Sequence, residues 1–158
     1  MNYKEYKKNL AAIEQKYRAI KQALYDEIDD VAKRLERKKI TEEEAKAETD
    51  RLYAILDTKK GREKRSIEQL KMNFARQDAA AKVGDLIWAQ TKHGSKLLKV
   101  TDIKLSAFEY PMLKYFGVQM NMLKGLPAPT QKQYPQGGIY QKDITSVNGE
   151  PYTYKVRE

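Results

Sequence analysis

Apolar residues in the first half of the chain recur every three or four positions, and most of the residues between them are charged. One set of these apolar positions repeats every seventh residue: Tyr3, Leu10, Tyr17, Leu24 and Val31. The remaining apolar positions of the series are Tyr6, Ile13, Ile20, Ile28 and Leu35. This spacing predicts a long amphipathic helix whose apolar side forms a coiled-coil seam.

A second apolar series, in residues 45–74, mirrors the first about a centre near Ile40. Leu24 corresponds to Leu56 and Ile28 to Leu52, so that the two residue numbers of a pair sum to about 80. The other pairs are Tyr6 with Phe74, Leu10 with Leu70 and Ile13 with Ile67. Because facing helices must present apolar residues at the same height, the mirror pattern predicts an antiparallel helical hairpin over residues 1–81.

The turn of this hairpin is expected at residues 37–41. Basic residues precede the turn, where they suit the negative end of a helix dipole. Thr41 and Glu44 have the spacing of a capping box, in which each side chain bonds to the backbone of the other residue. The second helix is therefore expected to begin directly after Thr41.

The middle of the second helix, residues 57–66, lacks large apolar side chains and contains Gly61. Either the helix breaks at Gly61 and restarts with Ser66 as its cap, or it continues. We expect a continuous helix, because one interior glycine costs only about 1 kcal/mol.

Five cations lie within this polar stretch: Lys59, Lys60, Arg62, Lys64 and Arg65. They are candidates for contact with nucleic-acid phosphates, although a solvated face with ion pairs to the facing helix would give the same pattern. By the mirror rule Tyr17 and Ile20 lie opposite the stretch, where the apolar seam is unmatched. These two residues are the candidate partner-binding positions on the helical arm.

The pattern changes after Lys82 to short segments typical of strands. Strands are expected at residues 86–88, 96–105, 115–122, 139–140 and 152–156. Residues 125–138 are rich in proline, glycine and glutamine and are expected to form a loop without regular structure. A single helical turn is expected at residues 143–144 and a hairpin turn at residues 147–150.

Several short strands with one long polar loop are typical of a small antiparallel barrel. The opening Val83-Gly84-Asp85, the curved second strand, the third strand centred on Gly117 and the segment 139–144 resemble Src-homology-3-like barrels of the KOW and Tudor kind, over residues 83–147. The resemblance implies binding of nucleic acid or protein through loops and an exposed sheet face. It carries no catalytic residues.

The expected fold class is therefore α+β: a coiled-coil arm over residues 1–81 followed by a small β-barrel domain over residues 83–158. A helical arm followed by such a barrel is also similar to uncharacterised small proteins of bacteriophages and mobile elements. Because a two-helix hairpin leaves part of its apolar stripe uncovered, a homodimer or a protein partner is expected to cover the arm.

Composition favours polyanionic partners, since 31 Lys and Arg outnumber 22 Asp and Glu and give a formal net charge of +9. The absence of cysteine excludes disulfides, thiolate nucleophiles and cysteine-based zinc sites. The chain lacks an apolar run of the roughly 18 residues that span a bilayer, and its start lacks the apolar core of a signal peptide. A cytoplasmic protein without membrane association is the expectation.

The sequence offers little for catalysis. His93 is the only histidine and is expected at the surface of a turn. Asp85 follows Gly84 and is expected to fix a turn rather than to bind magnesium. Since phosphate-loop, dinucleotide, nucleophile-elbow and metal-ligand spacings are all missing, we expect no enzyme activity, cofactor, metal or small-molecule substrate.

Lysines interleaved with aromatic residues in the second half suit single-stranded nucleic acid. The candidate binding residues there are Lys92, Lys96, Tyr110, Lys132 and Tyr134. The favoured function is a non-enzymatic, nucleic-acid-associated accessory factor of phage or mobile-element origin. The alternatives are a protein-binding module or inhibitor that docks on a host nucleic-acid or defence complex through the arm, and a purely structural dimerisation unit.

Overall fold

A computed structural model describes residues 1–106, 108–129 and 138–158. Two long helices precede an antiparallel sheet, which confirms the α+β class. The elements are α1 (Tyr3–Glu36), α2 (Glu42–Arg76), β1 (Leu86–Thr91), β2 (Gly94–Ser106), β3 (Met112–Leu123), β4 (Leu126–Pro129), β5 (Ile139–Tyr140), a 3₁₀ turn (Gln141–Asp143), β6 (Ile144–Val147) and β7 (Glu150–Pro151). Contacts divide the chain into an arm unit, Lys4–Leu70, and a sheet unit, Met1–Tyr3 with Lys71–Glu158.

The arm unit has its own apolar core, formed by both helices. Leu24 of α1 is buried in one cluster with Leu52 and Leu56 of α2, and Ile28 packs against the same cluster. These contacts confirm the antiparallel pairing predicted from the mirrored numbering. Burial of such large apolar side chains stabilises the hairpin by roughly 1.5–3 kcal/mol each.

The hairpin turn lies where the sequence predicts it, between Glu36 and Glu42. The Thr41 hydroxyl accepts a hydrogen bond from the Glu44 N–H at 3.1 Å, so Thr41 caps the start of α2. Lys38 adopts a left-handed backbone conformation with φ of 56°. Its N–H bonds to the Leu35 carbonyl, and the next N–H, from Lys39, bonds to the Arg34 carbonyl, which closes the end of α1 without a glycine.

Helix α2 passes through Gly61 without a break, which confirms the continuous-helix interpretation. The Arg65 side chain donates to the Gly61 carbonyl at 3.3 Å. Across the hairpin, Lys21 forms an ion pair with Glu63 at 2.8 Å, and the two side chains are only 27% and 16% exposed. An ion pair thus joins the polar middle of α2 to α1, in addition to the apolar cluster that joins the two helices elsewhere.

Replacement of Gly61 by alanine should raise the free energy of unfolding of the arm by up to about 1 kcal/mol, because alanine loses less backbone entropy in a helix. The added Cβ would lie 3.8 Å from an Arg65 guanidinium nitrogen, an ordinary contact. Urea unfolding followed by far-ultraviolet circular dichroism measures the change. The control is Gly84→Ala, which should destabilise because Gly84 has a φ of +95°. A destabilised Gly61→Ala protein would contradict a continuous helix.

The sheet unit is built around strands in the order β4-β3-β2-β1-β6-β7, with β5 also paired to β3. Strands β1 to β3 form two consecutive hairpins, and β6 returns to pair with β1. The long strands and the short β5 lie where the sequence predicts them. The 3₁₀ turn begins two residues before the predicted helical turn, and Asn148 and Gly149 have positive φ in the predicted final hairpin turn.

Two predictions about strands are wrong. Leu126–Pro129 forms β4, paired with the end of β3, although the sequence predicts an irregular loop there; the rest of that loop, residues 130–137, lies outside the described residues. Residues 152–158 form neither helix nor strand, although a last strand is predicted at 152–156. The strand that pairs with β6 directly after the turn is instead the two-residue β7, which ends at Pro151.

Strands β2 and β3 cross closely at Gly117. A Cβ added to Gly117 would lie 1.9 Å from the Lys99 carbonyl oxygen, so only glycine fits this position. Next to this crossing the register of β2 shifts by one residue between Val100 and Asp102. Such a bulge reverses which face the following side chains occupy. Val100 is buried in the core, whereas Asp102 is exposed.

A buried hydrogen-bond network joins the sheet to the segment that follows α2. The Tyr115 hydroxyl accepts from the Ala80 N–H at 2.9 Å and donates to the Gln141 side-chain oxygen at 3.2 Å. The Gln141 amide in turn donates to the Asp78 carbonyl and to the Tyr152 hydroxyl. Tyr115 and Gln141 are 0% and 1% exposed, and burial raises the pKa of the Tyr115 phenol.

The last turns of α2 belong to this same unit. Ala75 is buried in the sheet core and Met72 packs against it. The sheet unit therefore takes in Met1–Tyr3 and the chain from Lys71 onward, because side chains of the last turns of α2 fill its core. The domain boundary expected near residue 81 stays a prediction.

The turn before β1 is held by Asp85, as the sequence suggests. Its carboxylate accepts from the Lys82 N–H at 2.9 Å and from the Asn148 side-chain amide at 3.1 Å. These two hydrogen bonds, that from Lys82 first, hold the pKa of Asp85 below its ordinary value.

Replacement of Tyr115 by phenylalanine should lower the free energy of unfolding of the sheet unit by about 1–3 kcal/mol, because the Ala80 N–H and the Gln141 oxygen lose a buried partner. Thermal and urea unfolding measure this loss. Tyr152→Phe is the matched control. Among the described residues its half-buried hydroxyl bonds only to the Gln141 amide, which keeps its bond to the Asp78 carbonyl. An equal effect of both substitutions would contradict the central position of Tyr115.

Candidate functional site

One face of the sheet carries a row of lysines and aromatic residues across three strands. Lys104 of β2 lies opposite Lys114 of β3, and Lys114 lies opposite Tyr140 of β5. Phe116, two residues after Lys114, shares this face because side chains alternate along a strand. The bulge in β2 brings Lys104 to this face. Three strands thereby place basic and aromatic groups side by side.

The side chains of this row touch in one continuous series of cation–π contacts. We call it the lysine–aromatic strip, which consists of Lys104, Phe116, Lys114, Tyr140, Lys142 and Phe108. The Lys114 ammonium lies 5.6 Å from the Phe116 ring centre and 4.6 Å from that of Tyr140. At one end Lys104 lies 5.2 Å from Phe116.

At the other end of the strip Lys142 lies 5.8 Å from the Tyr140 ring centre and 5.5 Å from that of Phe108. The Phe108 and Tyr140 rings are 5.1 Å apart at an angle of 59°, and Phe108 is 39% exposed. Among the described residues, the one ion pair of a strip lysine joins Lys104 to Asp102 at 3.6 Å. Most of the positive charge is thus available to an anion.

A cavity of about 450 Å³ adjoins the strip and shares Tyr140 and Lys142 with it. Its floor includes Leu98 and Ile139, which are 9% and 6% exposed. Its polar lining includes Lys92, His93, Lys96, Gln119, Lys142 and Asp143. In the part of the chain that the structure describes, the cavity therefore combines an apolar floor with three lysines and one aspartate.

The wall formed by the β1–β2 turn has a defined backbone. The Thr91 hydroxyl donates to the Gly94 carbonyl at 3.0 Å and accepts from the His93 N–H at 3.1 Å. Gly94 takes a φ of 101° that the turn requires. This tight turn holds Lys92 and His93 beside the cavity.

The residues of the second half that are predicted to bind nucleic acid do not all lie at one site. Lys92 and Lys96 both line the cavity. Tyr110 packs between Tyr3 and Phe74, with ring centres 5.0 and 5.2 Å away, and its hydroxyl accepts from the Arg157 N–H. Lys132 and Tyr134 lie outside the described residues. Tyr110 therefore has a packing function, and its contact with nucleic acid stays a prediction.

Near Tyr110, Tyr154 is also packed into this aromatic group, with ring centres 6.4 Å apart. The Tyr154 hydroxyl is buried without a hydrogen-bond partner among the described residues. Burial, and then the neighbouring Tyr110, raises the pKa of Tyr154 to about 12. This group is aromatic and uncharged, unlike the strip.

The five predicted cations of the arm do not form one patch. Lys60, Arg62, Lys64 and Arg65 are exposed and Lys59 is half-buried. Since successive residues of an α-helix are separated by about 100°, the five side chains point to several sides of α2. Their contact with nucleic acid stays a prediction.

The predicted partner-binding pair offers little free surface. Tyr17 is only 8% exposed, and Ile20 packs against the core of the arm. The unmatched middle of the seam is thus filled within the hairpin. Whether Tyr17 and Ile20 bind a partner stays a prediction.

The sequence pattern alone does not single out the strip residues Lys104, Lys114, Lys142, Phe108 and Phe116 as binding residues. The available signal is the alternation of Lys114 and Phe116 with buried residues of β3. Lys104 cannot be assigned to the same face from the sequence, because a bulge breaks the alternation in β2.

An apolar patch lies elsewhere on the sheet unit. Leu86, Trp88 and Leu97 line a second cavity of about 190 Å³ together with Met122 and Pro127 of the β3–β4 hairpin. Trp88 and Met122 remain 38% and 49% exposed. This surface is therefore both apolar and exposed.

Within the described residues, three or more histidine, aspartate or glutamate side chains nowhere gather in a group that could hold a metal ion. Neither α1 nor α2 is apolar over a length that would cross a membrane. In comparisons with known proteins, no family model, curated protein or solved structure matches the chain.

Proposed function

We propose that the protein binds single-stranded nucleic acid without catalysis, through the lysine–aromatic strip of its sheet unit. The observation that carries this proposal is the continuous contact of three lysines with three aromatic rings. Lysines supply charge for phosphates, and rings supply faces for unstacked bases. This combination suits single strands, whose bases are free to stack on a protein.

The energetics favour this partner over a duplex. Stacking of a base on an aromatic side chain contributes about 1–3 kcal/mol, which a duplex cannot offer without unpairing. Each lysine that neutralises a phosphate adds to the affinity by releasing counterions. The net charge of +9 strengthens the encounter at long range.

We also propose that the sheet closes into a small barrel of the Src-homology-3-like kind. Three features support closure: β5 pairs with β3, β6 pairs with β1, and a three-residue 3₁₀ turn joins β5 to β6. The bulge and the close crossing at Gly117 supply the curvature that a barrel needs. The strip would then lie on the outside of the barrel.

In this proposal the helical arm supplies dimerisation or docking, as expected of an accessory factor of phage or mobile-element origin. A second candidate function, binding of a protein partner, is favoured by the exposed apolar patch around Trp88 and Met122. The two candidates differ in their salt dependence, since apolar contacts do not depend on counterion release.

Simultaneous replacement of Lys104, Lys114 and Lys142 by glutamine should weaken binding to a fluorescent oligothymidine. If each lysine contacts one phosphate, the negative slope of log affinity against log salt concentration should become shallower by about 2. Fluorescence anisotropy over a salt series measures both quantities. Phe116→Leu should weaken binding about tenfold with little change in the slope, because it removes stacking and no charge.

The matched comparison replaces Lys59, Lys60 and Lys64 of α2 by glutamine, which removes the same charge from the arm. A smaller loss than that of the strip variant supports the strip as the interface. An equal or larger loss of affinity in the arm variant would contradict the strip as the main interface. Absence of salt-dependent binding by the unmodified protein would contradict nucleic-acid binding altogether.

A further inference from the structure

We infer that the cavity beside the lysine–aromatic strip receives one unstacked guanine nucleotide of the bound strand, with Asp143 as the base-selective residue. This inference rests on the proposed binding of single-stranded nucleic acid. The strip accounts for affinity without sequence preference, whereas the cavity holds a carboxylate that a non-selective phosphate site would not need.

The size and lining of the cavity suit a nucleotide. Its volume of about 450 Å³ falls within the usual range for small-ligand sites, about 300–1,000 Å³. Leu98 and Ile139 belong to the core of the sheet unit, and the small part of each that lines the cavity makes its floor apolar.

On β3 the cavity residues Gly117 and Gln119 alternate with the strip residues Lys114 and Phe116 and so belong to the opposite face. The cavity and the strip meet at Tyr140 and Lys142, so a strand on the strip would pass round β5 to place one base inside.

The three lysines of the cavity suit the phosphate of that nucleotide. Lys92 and Lys96 come from the β1–β2 hairpin, and Lys142 comes from the 3₁₀ turn. The 3₁₀ turn follows β5, which pairs with β3 and not with the β1–β2 hairpin. Ammonium groups therefore approach the cavity from two separate elements.

Among the described residues that line the cavity, Asp143 is the only one with an acidic side chain. None of the ion pairs within the described parts of the chain involves Asp143. An ionised carboxylate only accepts hydrogen bonds, and its two oxygens can accept a parallel pair. Guanine presents such a pair, the N1–H and the N2 amino group, on its Watson–Crick edge.

The other bases match the carboxylate less well. Adenine and cytosine each place an acceptor nitrogen beside their amino group, and thymine and uracil flank one N–H with two carbonyls. Each would set an acceptor against a carboxylate oxygen. Asp143 should thus favour guanine over all of them.

The test compares a twelve-nucleotide oligothymidine with the same strand carrying one central guanine, by fluorescence anisotropy. The unmodified protein should bind the guanine strand about tenfold more tightly, as expected for one good bidentate pair. Asp143→Asn should remove this preference. Lys96→Gln should weaken binding of both strands by the same factor and keep the preference, because a phosphate contact does not select the base.

Glu150→Gln is the matched control, because it removes one carboxylate from β7, outside the cavity lining, and should keep the guanine preference. Thermal unfolding of each variant checks that the fold is retained. The same pair of strands made of RNA, oligouridine with and without one guanine, distinguishes the two kinds of nucleic acid; a guanine preference in either supports the inference.

Equal affinity of the unmodified protein for the strands with and without guanine, in both DNA and RNA, would overturn the inference and leave the proposed function standing. A preference that survives Asp143→Asn would also overturn it. If guanosine monophosphate competed as strongly as the guanine strand, the assignment to a strand would be overturned, since a free nucleotide would then account for the binding. Failure of every strand to bind would remove the proposed function itself.

Discussion

The arrangement of the sheet unit depends on the hydrogen bonds of the buried Tyr115 hydroxyl. It accepts from the backbone that follows α2 and donates to Gln141 at the start of the 3₁₀ turn, so three distant segments meet at one oxygen. Gln141 continues the network to Asp78 and Tyr152. In an apolar core each of these polar groups would be costly if left unpaired, and the arrangement is therefore restricted to one geometry. This network fixes the position of the 3₁₀ turn, which carries Lys142 and Asp143 of the cavity.

Helices and strands could largely be predicted from the sequence, because their periods are local. The mirrored apolar series indicates the pairing of Leu24 with Leu56, and the Thr41 cap has a recognised spacing. The extent of the sheet unit could not be predicted in the same way. The helical pattern continues past Leu70, yet Ala75 packs into the sheet core, a fact that only the tertiary contacts determine.

The candidate site could be predicted only in part. The mixture of cations and aromatic residues indicates Lys92 and Lys96, and both line the cavity. It does not indicate Lys104, because the register shift in β2 accompanies the close crossing at Gly117 and leaves no clear mark in the alternation. Tyr110 looks like an exposed ring next to a proline, but the rings that pack against it are far away in sequence.

The cation–π contacts of the strip have a consequence for the protein in the absence of any ligand. Ammonium groups lie over the rings of Phe116, Tyr140 and Phe108 and cover part of their faces, while Phe108 remains 39% exposed. If the strip binds a strand as proposed, a base that stacks on a covered ring face would displace a lysine, which would then turn toward the phosphate next to that base. In that case the lysines that cover the rings of the free protein would change partner, from ring to phosphate, on binding a strand.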